Sequence, residues 1–93
     1  QGIGQALMEH AVYDKESGQM LSATFMDYGM PRADLFPEIE THLEEVPSKT
    51  NPLGVKGIGE SGTIGAPPTV INAILDALKP LGVKELDMPA TPA

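Results

Sequence analysis

Residues 54–68 read GVKGIGESGTIGAPP, in which five glycines surround a single carboxylate, that of Glu60. Residues 57–62 (GIGESG) fit the pattern G-x-G-x-x-G, which marks a dinucleotide site when it follows a buried strand and opens a helix. The preceding residues 51–56 (NPLGVK) make a poor buried strand, and Gly65 and two prolines follow before the next helical pattern. Two other interpretations stay open: a loop that presents a general base, and a flexible loop with an incidental glutamate.

The composition excludes several classes of protein. A chain of 93 residues is at most one small domain, and its net charge of −7 argues against a nucleic-acid partner. The chain has no cysteine, which excludes iron–sulfur and thiolate zinc ligation within it and agrees with a reducing compartment. It has no apolar run near the length of a membrane span and no signal-peptide pattern. We therefore expect a cytoplasmic, loop-rich but folded chain.

The hydrophobic pattern predicts an α+β fold with two helices, a few short antiparallel strands and a long Gly/Pro-rich loop. Helical spacing predicts one helix within residues 3–12 and a second over 69–79, with Pro67 and Pro68 at its entry. Alternation of apolar and polar residues predicts a half-buried strand over 38–46. The other predicted features are short strands at 12–13, 19–25 and 82–86, a turn at 14–18, an irregular segment at 28–37 and a loop at 47–68.

Two further patterns have ordinary interpretations. The alternate residues Glu40, His42 and Glu44 could form a carboxylate–imidazole metal site, but a solvated strand face is the favoured interpretation. The stretch PLGVK occurs at 52–56 and again at 80–84, between flanks that do not match, and we attribute the repeat to chance.

Four segments, in order along nearly the whole chain, resemble the C-terminal part of the molybdenum hydroxylases. This family comprises the large subunits of xanthine dehydrogenase, aldehyde oxidase and aerobic carbon monoxide dehydrogenase. The segments are QGIGQAL at 1–7, residues 21–31 leading into a Tyr-x-x-Pro, GVKGIGESG at 54–62 with the helix that follows it, and MPATP at 88–92. With no initiator Met at Gln1, residues 1–93 are expected to be a single domain, the C-terminal fragment of a larger molybdopterin-binding subunit.

The resemblance implies roles for particular residues. Glu60 would be the general base of an oxidoreductase that hydroxylates a carbon centre, such as that of an aldehyde or an N-heterocycle, or that oxidises carbon monoxide. Gln1 would contact the pterin cofactor through its amide. Gly57, Ile58 and Gly59 would line the cofactor side of the loop. The resemblance places no metal ligand in this chain, and the isolated fragment is expected to be inactive and free of cofactor.

The resemblance also implies partners. These are the rest of the molybdopterin-binding subunit, iron–sulfur and flavin subunits or domains, and a small-molecule substrate. In the xanthine dehydrogenases a Pro-Pro pair follows the glutamate directly, whereas here residues 61–66 intervene. That spacing resembles the bacterial multi-subunit branch, which generally uses molybdopterin cytosine dinucleotide, so purine specificity is not implied.

Two alternatives remain open at this point. Apolar faces without a partner make a homodimer of the fragment plausible. Alternatively, the chain is a small acidic protein-binding module with no catalytic role.

Overall fold

Two helices of unequal length, joined by long irregular segments, make up the chain. The computed structural model describes residues 1–92. Helix α1 spans Gly2–Leu7 and helix α2 spans Ser61–Leu78, with short 3₁₀ helices at Ala33–Leu35 and Lys79–Leu81. Helix α1 packs against α2. Within the described residues, no helix is long and apolar enough to cross a membrane.

The predicted α+β fold is wrong, because residues 1–92 contain no β-sheet. The alternating segment 38–46 is irregular, and its apolar residues face solvent, with Ile39 65% and Leu43 91% exposed. Alternation produces a strand only where a neighbouring strand supplies the backbone hydrogen bonds. No segment in the described part of the chain pairs with 38–46, and 82–86 is likewise irregular.

The predicted strands at 12–13 and 19–25 are reduced to one isolated antiparallel bridge between Tyr13 and Met20. The Leu21 N–H donates to the Val12 carbonyl at 2.7 Å beside this bridge. The turn at residues 14–18 forms as predicted. The pairing stops there, so residues 19–25 do not continue as a strand.

Helix α2 begins eight residues earlier than predicted, at Ser61 rather than Thr69. Pro67 and Pro68 therefore lie inside the helix instead of at its entry. A proline inside a helix removes a backbone hydrogen bond and costs about 3 kcal/mol, which is why the pair reads as a start signal. The predicted loop 47–68 consequently ends at Glu60.

Two glycines of α1 allow close contact with other segments. A Cβ at Gly2 would lie 2.8 Å from the Thr63 carbonyl oxygen and equally close to atoms of Ala66 and Pro67. A Cβ at Gly4 would lie 2.6 Å from the Pro31 ring. Glycine is therefore the residue that lets α1 sit between α2 and the 28–31 segment.

The C-terminal end of helix α1 accepts hydrogen bonds from the two residues that follow it and from the C-terminal tail. The predicted helix 3–12 stops at Leu7, where the Met8 and Glu9 N–H groups both donate to the Gly4 carbonyl. The Ala90 N–H donates to the Ala6 carbonyl at 2.7 Å, which ties the C-terminal tail to α1. Ala6 is the buried hydrophobic residue at this junction.

The chain buries little of its own apolar surface. Its solvent-accessible area is 8274 Å², whereas a compact monomer of 9.8 kDa exposes about 5,200 Å². Its radius of gyration is 17.8 Å, against about 12 Å for a compact domain of this length. Exposed side chains include Phe25, Met26, Leu53 and Ile64. The described chain is therefore more extended than a compact domain of its length.

Candidate functional site

The loop that carries Glu60 is held at its two ends. A Cβ at Gly57 or Gly59 would meet no described atom within 4 Å. The backbone N–H groups of residues 56–60 make no hydrogen bond within the described chain. Beyond the loop, the Ser61 N–H and hydroxyl both reach the Ile58 carbonyl, at 3.3 Å and 3.0 Å, and begin α2. The backbone N–H groups of residues 56–60 are therefore free to donate hydrogen bonds to a ligand.

Before the loop, residues 47–55 form a compact turn. The Gly54 N–H donates to the Asn51 carbonyl at 3.1 Å, and the Ser48 N–H donates to the Gly54 carbonyl at 2.9 Å. Gly54 has a φ of 67°, which suits glycine. The Asn51 amide bonds both the N–H and the carbonyl of Val55, at 3.1 Å and 2.9 Å. The chain thus enters the Glu60 loop from a fixed point.

Glu60 lies at the junction of loop and helix. It is the N-cap residue of α2, and its carbonyl accepts from the Ile64 N–H at 3.1 Å. Its side chain is exposed and makes no hydrogen bond or ion pair within residues 1–92. The carboxylate is accessible to a ligand from outside the chain.

The fold brings Gln1 close to the start of α2. The Thr63 hydroxyl donates to the Gln1 side-chain oxygen at 3.5 Å, although 62 positions separate the two residues. This contact follows from the approach of Gly2 to the Thr63–Pro67 turn. Gln1 and Glu60 therefore belong to one region, and the exposed Ile58 lies between the loop glycines in the same region.

The residues around His42, which the sequence offered as a candidate metal site, lie on the surface of the described chain. His42 Nε2 lies 3.7 Å from a Glu40 carboxylate oxygen, and both side chains are largely exposed. Within the described residues, no group of three or more His, Asp or Glu side chains is placed to hold a metal ion. The two residues form a surface ion pair when the histidine is protonated.

The chain is similar in sequence to several known proteins. The family model described as "Molybdopterin cofactor-binding domain" matches residues 1–37. The chain is 46% identical, over 99% of its length, to the nicotine 6-hydroxylase large subunit of Paenarthrobacter nicotinovorans, and covers 11% of that subunit. It is 38% identical, over 98% of its length, to the carbon monoxide dehydrogenase large chain of Hydrogenophaga pseudoflava, again covering 11%.

The fold matches a solved structure of similar sequence. Quinoline 2-oxidoreductase from Pseudomonas putida 86 superimposes with a TM-score of 0.88 at 43% identity, over 99% of this chain and 12% of that one. The chain thus spans about one-ninth of the length of these relatives. The comparisons confirm the predicted resemblance.

The residues present fit a pterin cofactor. The loop offers unpaired backbone N–H donors beside glycines that leave room for close approach, and Gln1 adds an exposed carboxamide. Such donors suit the oxygen and nitrogen atoms of a pterin and its phosphate.

Sequence reasoning missed Asn51, Thr63 and Gly2. Asn51 lies three residues before the quoted stretch 54–68, and the pair Asn-Pro before a Leu-Gly is a recognisable turn signal. Thr63 and Gly2 carried no such signal, because their role depends on a contact between distant parts of the chain.

Proposed function

We propose that this chain, which belongs to the molybdenum hydroxylase family, is the C-terminal part of a molybdopterin-binding subunit that hydroxylates a carbon centre of a small substrate. The observation that carries the proposal is the 46% identity over 99% of the chain, together with the placement of Gln1 beside the helix that Glu60 begins. When bound, the molybdenum cofactor supplies a redox centre that takes two electrons from the substrate carbon.

Each site residue then has a distinct role. Glu60 is the general base that removes a proton during hydroxylation, and its exposed carboxylate is free of partners in residues 1–92. Gln1 holds the pterin through its carboxamide. Gly57, Ile58 and Gly59 lie against the cofactor, where the absence of a Cβ at the two glycines lets the backbone approach closely.

The substrate class we favour is an N-heterocycle. Nicotine 6-hydroxylase and quinoline 2-oxidoreductase, named for N-heterocyclic compounds, are 46% and 43% identical to this chain, whereas the carbon monoxide dehydrogenase of Hydrogenophaga is 38% identical. An aldehyde or carbon monoxide remains the second choice. The chain's own residues contribute the base and cofactor contacts rather than substrate selection.

The parent enzyme needs partners to carry electrons away. We propose iron–sulfur and flavin subunits or domains as these carriers, because the chain has no cysteine for a cluster of its own. The rest of the molybdopterin subunit covers the exposed apolar side chains, which accounts for the chain's large accessible area of 8274 Å². The cofactor form we propose is molybdopterin cytosine dinucleotide.

The proposal is tested on the native polypeptide. An antibody against residues 54–68 captures it from its source, and elemental mass spectrometry measures its molybdenum. We expect near-stoichiometric molybdenum in a polypeptide about nine times longer than this chain, and CMP on acid hydrolysis of its cofactor. A native chain of only this length without molybdenum would instead support an acidic binding module. Molybdenum without CMP would overturn only the proposal that the cofactor is molybdopterin cytosine dinucleotide.

A further inference from the structure

The two copies of PLGVK share a glycine conformation and a hydrogen bond, the first in a loop turn and the second at the end of a 3₁₀ helix. Gly54 and Gly82 have φ values of 67° and 79°. Each glycine N–H donates to the carbonyl three residues earlier, Asn51 at 3.1 Å and Lys79 at 3.0 Å. A repeat attributed to chance in the sequence is therefore a repeat of conformation. The turn forms with either asparagine or lysine before the proline, so it does not require the Asn51 side chain.

The copies differ in what holds the residue after the glycine. The Asn51 side chain bonds Val55 twice, through Oδ1 from the N–H and through Nδ2 to the carbonyl. This orientation of the amide satisfies both groups, whereas a flipped amide would satisfy neither. Lys79 in the second copy makes no side-chain hydrogen bond to Val83 among the described residues. We call the two hydrogen bonds between the Asn51 side chain and Val55 the Asn51 clamp. The clamp is additional to the backbone hydrogen bond that both copies share.

The clamp lies at the start of the segment that carries the proposed base. Between Val55 and the first residue of α2, Ser61, are five residues. Two of them are glycines at which an added Cβ would meet no described atom beyond its chain neighbours within 4 Å. Such a segment is flexible unless its ends are fixed. Helix α2 fixes one end and the Asn51 clamp fixes the other.

We propose that Asn51 is a positioning residue for Glu60: by clamping Val55 it fixes the approach of the Gly57–Glu60 loop and so the location of the base. The proposal rests on the proposed function of Glu60. Asn51 itself makes its bonds to the chain, so it acts through the loop rather than on substrate. A displacement of about 1 Å in a reacting group can lower a rate 100-fold.

The test uses the assembled full-length enzyme and two matched substitutions. Asn51→Asp is nearly isosteric, removes the Nδ2 donor and sets a second acceptor against the Val55 carbonyl. Asn72→Asp makes the same chemical change on the exposed surface of α2, where Asn72 makes no side-chain hydrogen bond within residues 1–92. Asn51→Leu removes both bonds and serves if Asn51→Asp assembles poorly.

Two readouts are combined. Hydrogen exchange followed by mass spectrometry should show at least tenfold faster exchange of the Val55 N–H, the amide that the Asn51 side chain bonds, within the peptide covering 52–60. The peptide covering 80–86 is the internal reference. At equal molybdenum content, kcat should fall about 10- to 100-fold while KM changes less than threefold. Asn72→Asp should change neither quantity.

The outcomes separate this proposal from the proposed function. Unchanged exchange at 52–60 would show that Asn51 does not hold the loop. Faster exchange with an unchanged kcat would show that the clamp does not position the base. Either result overturns the inference while Glu60→Gln still abolishes turnover. Full turnover by Glu60→Gln would overturn the proposed function and this inference together.

Discussion

Two groups of glycines in this chain differ in what surrounds them. At the contact glycines, Gly2 and Gly4, an added Cβ would come within 2.8 Å of α2 or within 2.6 Å of Pro31. At the open glycines, Gly57, Gly59 and Gly62, an added Cβ would meet nothing within 4 Å in the described chain. The first group is explained by the chain's own packing.

The second group is explained by the proposed function. The open glycines flank Glu60, and two of them belong to the segment proposed to lie against the cofactor. Substitutions in the contact group should therefore change stability. Substitutions at Gly57 and Gly59, the open glycines of the cofactor segment, should change cofactor binding and turnover. The two kinds of measurement can be made on the same set of variants of the full-length enzyme.

The largest effect in this comparison is expected at Gly59. Gly59→Ala should lower turnover about 10- to 100-fold and reduce molybdenum content, because the new methyl group displaces the cofactor from the loop. Thermal stability of the cofactor-free protein should be unchanged. Gly62→Ala is the matched control, since it lies in the first turn of α2, where alanine favours the helix by about 1 kcal/mol. Wild-type turnover in both variants would contradict the assignment of Gly59.

A smaller effect, on stability, is expected at Gly2. Gly2→Ala should destabilise the protein by about 1–3 kcal/mol, because the methyl group would overlap the Thr63 carbonyl and the Pro67 ring. Differential scanning fluorimetry of the assembled enzyme measures the change. Gln5→Ala, at an exposed position of the same helix, should have little effect. Equal melting temperatures for the two variants would show that α1 does not depend on this contact.

The smallest effect is expected in the turn at 14–18, which belongs to neither group. The hydroxyl and the backbone N–H of Ser17 both bond the Asp14 carboxylate, and these bonds lower the pKa of Asp14 below its usual 3.8. The turn should thus keep its extra stability above about pH 4 and lose it as the pH falls through the lowered pKa. An NMR titration of Asp14 should show an upward shift of its pKa in Ser17→Ala. Identical titrations of Asp14 in the wild type and in Ser17→Ala would show that Ser17 does not lower this pKa, and would contradict the predicted pH dependence of the turn.

The sequence predicted the family and the glycine loop because both depend on local motifs. The motif around Glu60 and the order of the four segments are readable without a structure, and the comparisons confirm the family they indicate. The roles of Glu60, Gln1, Gly57, Ile58 and Gly59 stay predictions, which the substitutions above and below address.

The sequence misled where secondary structure depends on neighbours. Residues 38–46 alternate like a strand, but a strand requires a partner, and none of the described residues supplies one. Pro67 and Pro68 signalled a helix start, yet α2 continues through them where Gly2 packs against the helix. The contact between Gln1 and Thr63 joins residues 62 positions apart, and no local pattern announces it.

The central claim is that Glu60 is the base of a molybdenum enzyme, and one substitution tests it most directly. Glu60→Gln in the full-length enzyme is compared with Glu85→Gln, which alters an exposed carboxylate near the second PLGVK copy. Turnover and molybdenum content are measured on the same samples. The account predicts a fall in kcat of about 100- to 10,000-fold for Glu60→Gln with molybdenum retained, and no change for Glu85→Gln. Wild-type turnover by Glu60→Gln at full molybdenum content would contradict it.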